Sequence, residues 1–144
     1  MRAYNFNGLV LGFGMLLMLA CNESADKKET SGQPAEAEKV IKAETVNYTG
    51  DNVTMNGFVA YNENDSSRRP VVMIVHEWWG LNDYAKNRAK QLADMGYFAF
   101  AVDMYGGAAQ AETPDSAGKI SGPFYEDPQM AKRRFDAALA KMKT

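Results

Sequence analysis

The residues best equipped for chemistry in this chain stand in one run, His76-Glu77-Trp78-Trp79-Gly80. It sets a carboxylate between an imidazole and an indole, where desolvation and charged neighbours shift acid strength. An apolar stretch, residues 71–75, precedes the run, and an amphipathic stretch follows it. This order predicts a turn at the C-terminal end of a buried strand, ahead of a helix. Ligands bind at that edge of an open α/β sheet. Backbone N–H groups there point toward the crevice and can stabilise a developing oxyanion. Taken one at a time, the same residues have plainer readings. His76 fits a hydrogen-bonded structural histidine. Glu77 fits a charge favouring the start of the next helix. Trp78 and Trp79 fit ordinary packing.

The elements that must position this run can be read on either side of it. Residues 45–48 and 55–61 read as short strands, and Gly50-Asp51-Asn52 is the turn of a hairpin between them. Residues 62–70 form a polar loop ending at Pro70. The run 71–75 is β-branched at four of five positions, the signature of a strand buried on both faces. Asn82 caps a helix expected over 83–95, with Ala85, Ala89, Leu92 and Ala93 on one face and Gly96 as its stop. Residues 97–102 supply the next strand and complete a βαβ unit. Residues 103–127, with Gly106, Gly107, Pro114, Gly118, Gly122 and Pro123, read as a long loop. Asp127 and Pro128 then open a last helix, with Ala131, Phe135, Ala138, Leu139 and Met142 on one stripe. Arg133 and Arg134 read as its solvated face, and Asp103 as a residue that shapes its own turn.

The chain has 144 residues, with 16 basic against 18 acidic side chains, one Cys and one His. That balance gives no field for nucleic acid. One Cys and one His cannot build a zinc site, and neither a metal nor a cofactor is expected. Arg2, the apolar segment 9–20 and Cys21 directly after Ala20 resemble a bacterial lipoprotein signal, with cleavage before Cys21. Residues 1–20 are then the signal peptide, and Cys21 carries the acyl chains that tie the protein to a membrane. The cell envelope is the expected location, on the periplasmic face or at the outer membrane. Residues 21–43 have the composition of an unstructured tether, and the folded domain is expected over 44–144.

HEWWGLNDY, followed by RAKQLADMGYFAFAVDMYGG, resembles the dienelactone hydrolase family, a branch of the α/β-hydrolases. The likeness covers the chain from about Thr45 onward and is strongest over 71–107. It implies the N-terminal half of an α/β-hydrolase fold: a β-hairpin, a βαβ unit and a further helix on a mostly parallel sheet. The implied strand order is first, second, fourth, third. It also implies hydrolysis of a small-molecule carboxylic ester or lactone. Carried over by position, Glu77 is the partner of a nucleophile and Trp78 gives a backbone N–H to the oxyanion. His76, Trp79 and Tyr105 lie at the substrate pocket, with Asp103-Met104-Tyr105-Gly106 matching the family's Asp-x-Tyr-Gly turn.

The sequence departs from the family in one respect that matters. It has neither Gly-x-Cys-x-Gly nor Gly-x-Ser-x-Gly. The expectation is therefore a hydrolase cut before its nucleophile elbow, inactive in this form and marginally stable, with strand 71–75 left as an open edge. Two rivals stand beside it: a non-catalytic ligand-binding envelope lipoprotein, and a gene fragment with no function of its own.

Overall fold

The structure is a computed structural model and describes residues 38–144. Cys21 and the expected signal segment 1–20 lie outside the described residues, as does most of the expected tether. Strand β1 (Ile41–Gly50) begins three residues ahead of the expected domain start at Glu44. It pairs along its whole length with β2 (Val53–Asn62), from Ile41 opposite Asn62 to Gly50 opposite Val53. Asp51 and Asn52 form the two-residue turn, both left-handed, with φ of 53° and 61°. Such a turn matches the twist of the strands it joins.

Strand β3 (Val71–Val75) has the expected bounds. Helix α1 (Asp83–Asp94) is capped by Asn82, whose side chain accepts a hydrogen bond from the Ala85 N–H, and Gly96 follows its end at φ 92°. Strand β4 (Phe98–Val102) then runs parallel to β3, Val71 opposite Phe98 and Val75 opposite Val102. The sheet order is β1-β2-β4-β3, as the family likeness implied.

The sheet is mixed and mostly antiparallel, which corrects the expectation of a mostly parallel one. β2 pairs antiparallel with both β1 and β4. A two-residue turn forces the first pair to be antiparallel, and a single βαβ unit supplies only one parallel pair. The strand buried on both faces is β4, where Ala99 to Val102 are all buried. β3 is the outer strand among the described residues, with Val71 49% and Val75 53% exposed.

Each face of the sheet has its own core. On one, Phe100, Val102, Met55, Val59 and Tyr48 pack with Met104 and Ala138. On the other, Ala85, Ala89 and Ala93 of α1 meet Ala60, Ala99 and Ala101 of the sheet, with Leu81. Alanine against alanine lets the helix axis come close to the strands, so the turn feeding α1 is held hard against the sheet edge.

The stretch expected to be one loop, 103–127, contains a helix, α2 (Pro114–Glu126). Thr113 and Ser116 form a reciprocal capping box, and Pro114 occupies the first turn. Together they satisfy the first N–H groups and pre-set the backbone. Gly118, Gly122 and Pro123 weaken the interior, which is why the composition reads as a loop. Helix α3 (Pro128–Met142) starts at the expected Asp127 cap.

Arg134 of α3 is also corrected from a solvated position to a buried one. It is 8% exposed and donates to the carbonyls of Met104 (2.7 Å) and Tyr105 (2.9 Å). Its neighbour Arg133 is exposed and bridges Asp51 and Asp127.

The turn after β4 is organised by Asp103, which is fully buried. Its carboxylate accepts from the N–H groups of Asn56 (3.0 Å), Tyr105 (3.2 Å), Gly106 (2.9 Å) and Ala108 (2.8 Å). Those bonds hold three consecutive left-handed residues, Gly106, Gly107 and Ala108, of which the alanine is strained. Gly106 has a further constraint, since a side chain there would collide with Val53. Replacing Asp103 with Ala strands several donors at once. Asp103→Ala is expected to lower the unfolding free energy by about 3 kcal/mol or more. Asp103→Asn should lose less, because it keeps one acceptor. Urea unfolding of the full chain checks both.

Candidate functional site

The run His76-Glu77-Trp78-Trp79-Gly80 leaves the C-terminal end of β3 and turns back on itself. The Glu77 carbonyl accepts the Gly80 N–H at 3.1 Å. Gly80 sits at φ 89°, and a side chain there would strike the Ala109 carbonyl. The turn is closed against residues 109–111. Gly80 bridges Gln110, the Ala111 N–H reaches the Trp79 carbonyl at 3.0 Å, and the Gln110 amide reaches the Leu81 carbonyl at 3.1 Å. Buried Leu81 then anchors the entry to α1.

The Asp103 turn supports the run from the other side. The Met104 N–H donates to His76 Nε2 at 3.2 Å, and His76 Nδ1 lies 2.6 Å from the Glu77 carbonyl. The first bond needs a bare Nε2 and the second a protonated Nδ1, so the network assigns the neutral Nδ1–H tautomer. Burial pushes the His76 pKa below the ordinary histidine range, opposed by the Glu77 carbonyl and by the charge of Asp103. Tyr105 donates its hydroxyl to the Trp78 carbonyl at 3.0 Å, and its ring meets the His76 ring edge-on at 4.7 Å. Burial also raises the Tyr105 phenol above its usual range.

Two clefts flank the outer strand, and His76 and Glu77 border both. One, of about 230 Å³, is lined by Val75, His76, Glu77, Trp78, Met104, Tyr105, Ser121, Phe124, Tyr125 and Ala131. The other, of about 260 Å³, lies toward α1 and includes Ile74, Tyr84, Arg88 and Leu92. The structure thus brings together His76, Glu77, Trp78 and Tyr105. Trp79 lines neither cleft. Its ring meets Trp78 edge-on at 5.0 Å, and its carbonyl secures the turn. Glu77 is exposed and belongs to the lining of both clefts. Among the described residues, no group of three His, Cys, Asp or Glu could hold a metal ion.

Sequence reasoning did not place Ser121, Phe124 and Tyr125 at the cleft, because α2 was read as loop; Ser121 has the wrong spacing for a nucleophile elbow. Thr113-Pro114 with Ser116 was the available signal. It also missed Arg134, whose partners are backbone carbonyls that no side-chain pattern reveals. The cleft offers an apolar, aromatic floor beside a backbone turn and one carboxylate. That combination suits a small molecule with an apolar body and a polar, carbonyl-bearing end.

The family model for the dienelactone hydrolase family matches residues 55–144. A provisionally named carboxymethylenebutenolidase of Aquifex aeolicus is 36% identical over 84 residues, covering 56% of this chain and 35% of that protein. Protein usf of Aquifex pyrophilus is 40% identical over 62 residues, covering 40% of this chain and 26% of that one. The crystal structure of a dienelactone hydrolase-like promiscuous phosphotriesterase from metagenomic libraries superposes with a TM-score of 0.65 at 38% identity. It covers 69% of this chain and 41% of that one. The chain spans less than half the length of each of these relatives.

His76 is the sole imidazole of the chain, which gives the site a pH signature. Its native pKa lies below the usual value near 6.5, so the unfolded chain takes up the proton first. The stability it contributes is therefore complete above about pH 6.5 and is lost as pH falls through the lowered native value. Urea midpoints taken from about pH 7.5 to about pH 5 should fall in the wild type and stay flatter in His76→Asn. Asp51, Asp65 and Asp127, which hydrogen bonds hold below the usual carboxylate range of 3.8, act at lower pH.

Proposed function

This chain belongs to the dienelactone hydrolase family, and from that premise we propose that it carries the oxyanion side of a site hydrolysing small carboxylic esters or lactones. The observation that carries this reading is the turn at the end of β3. It brings Glu77 and Trp78 to the lining of a cleft that they share with Tyr105, Phe124 and Tyr125. In the proposed reaction a nucleophile attacks the substrate carbonyl, and the negative charge that develops on oxygen is met by the Trp78 N–H. The tetrahedral intermediate collapses by breaking the acyl C–O bond. The alcohol departs once protonated (in a lactone it stays tethered). The acyl group remains on the nucleophile, and water then releases it as the carboxylic acid. One preorganised donor of this kind is worth about a hundredfold to a thousandfold in rate. Glu77 is the partner that orients and screens the resting nucleophile. Trp78, Tyr105, Phe124 and Tyr125 provide the walls.

The nucleophile itself comes, in this proposal, from a segment outside the 144 residues, since no Gly-x-Cys-x-Gly or Gly-x-Ser-x-Gly occurs in them. Membrane attachment through acylated Cys21 in a bacterial envelope is part of the same proposal. It rests on the apolar segment 9–20 that ends at that cysteine. A second reading, a ligand-binding module without chemistry, draws on the cleft being formed and lined by aromatic rings in this chain alone.

The test is turnover of 4-nitrophenyl acetate and of a simple unsaturated lactone by the full chain. The expected rate equals that of buffer. Turnover that scales with protein through repeated purification, and that disappears in Glu77→Ala, would overturn the assignment of the nucleophile to another segment. Saturable binding of the lactone without turnover would favour the second reading.

A further inference from the structure

We propose that His76 is a positioning residue that fixes the plane of the Glu77–Trp78 peptide and thereby aims the Trp78 N–H. The inference rests on the reading of that N–H as the oxyanion donor, and it adds what sets the donor's direction. A trans peptide is planar, so its N–H points opposite to its carbonyl. No cis peptide occurs among the described residues. Whatever holds the Glu77 carbonyl therefore also orients the Trp78 N–H. Two groups hold it: the Gly80 N–H at 3.1 Å and the His76 Nδ1–H at 2.6 Å.

The imidazole is itself a fixed strut. Its other nitrogen accepts the Met104 N–H at 3.2 Å, and its ring is wedged against Tyr105. Met104 is not free to drift, because Arg134 grips its carbonyl at 2.7 Å. The neighbouring peptide, Trp78–Trp79, is tied to the same loop through the Tyr105 hydroxyl. Two successive peptides of the turn are thus referenced to the Asp103 loop, one through an imidazole and one through a phenol. Donation into the Glu77 carbonyl also polarises that peptide and strengthens its N–H as a donor. An apolar ring of similar size would fill the space but would do neither.

The test uses NMR on the full chain labelled with ¹⁵N and ¹³C, with phenylphosphonate as the tetrahedral anion probe. The wild type should show protonated Nδ1 and bare Nε2 at neutral pH. An Nε2–H tautomer would overturn the inference with no mutation made. In His76→Asn the side-chain amide can still donate from near the Nδ1 position. The Glu77 carbonyl ¹³C shift should stay near that of the wild type. His76→Gln places its amide near Nε2 and gives up the donor to Glu77. There the Glu77 carbonyl shift should move upfield, and the Trp78 amide should respond to phenylphosphonate about tenfold more weakly. Amides of β4 that keep their positions establish that the fold is intact. A Glu77 carbonyl and a Trp78 response in His76→Gln equal to wild type would make His76 a packing residue only. A wild-type Trp78 amide that ignores phenylphosphonate would defeat the oxyanion reading instead. The positioning role would then still be decided by the Glu77 carbonyl shift in the two variants.

Discussion

Four backbone N–H groups converge on the buried carboxylate of Asp103, and the rest of the site is arranged around that convergence. A carboxylate removed from water must be met by donors on nearly every lone pair. Here the donors come from β2 and from the loop that follows β4, so one charge ties a strand edge to a turn. The carbonyls of the same loop face the other way and are taken by the guanidinium of Arg134. Residues 104 and 105 are strung between an anion that collects the N–H groups of Tyr105 and of residues beyond it and a cation that collects their C=O groups. Peptide dipoles aligned in this way hold a strained loop that its own backbone would not choose.

That loop matters because the functional turn has little support of its own. It follows the outer strand β3, whose Val71 and Val75 are half exposed. The helix it leads into is drawn against the sheet by alanine contacts. On its other side, the turn is steadied by Met104 through His76 and by Tyr105 through Trp78. Rigidity is thus imported from the buried strand β4 to the exposed end of β3. Among the described residues β3 has a neighbour on one side only, so the buried strand behind it is the source of that support.

Much of this was legible in the residues. Gly50-Asp51-Asn52 announced a tight hairpin, because few residues accept two left-handed positions in succession. Val71 to Val75, the Asn82 cap, Gly96 and Asp127-Pro128 marked element ends through backbone chemistry that acts locally. The family likeness supplied the strand order, which no local signal contains. Helix α2 was hidden because its stability comes from the Thr113–Ser116 box and from packing on α3, while Gly118, Gly122 and Pro123 argue against a helix. Arg134 was hidden for a different reason. Its role is fixed by carbonyls some thirty positions away along the chain, and carbonyls are common to all sequences. The antiparallel pairing of β4 with β2 joins strands far apart along the chain, and no local signal contains it.

The two tryptophans of this chain are neighbours in the turn, at 78 and 79, and the chain holds no others. Their rings stand 5.0 Å apart at an interplanar angle of 63°. Indoles that close and that oblique couple their electronic transitions, so the indole absorption and emission of the protein are properties of this turn rather than of its core. The molecule reports optically on this turn. A quenched or shifted emission from it is a local observation, while the tyrosines and phenylalanines of the core stay dark at the wavelengths where indole alone absorbs.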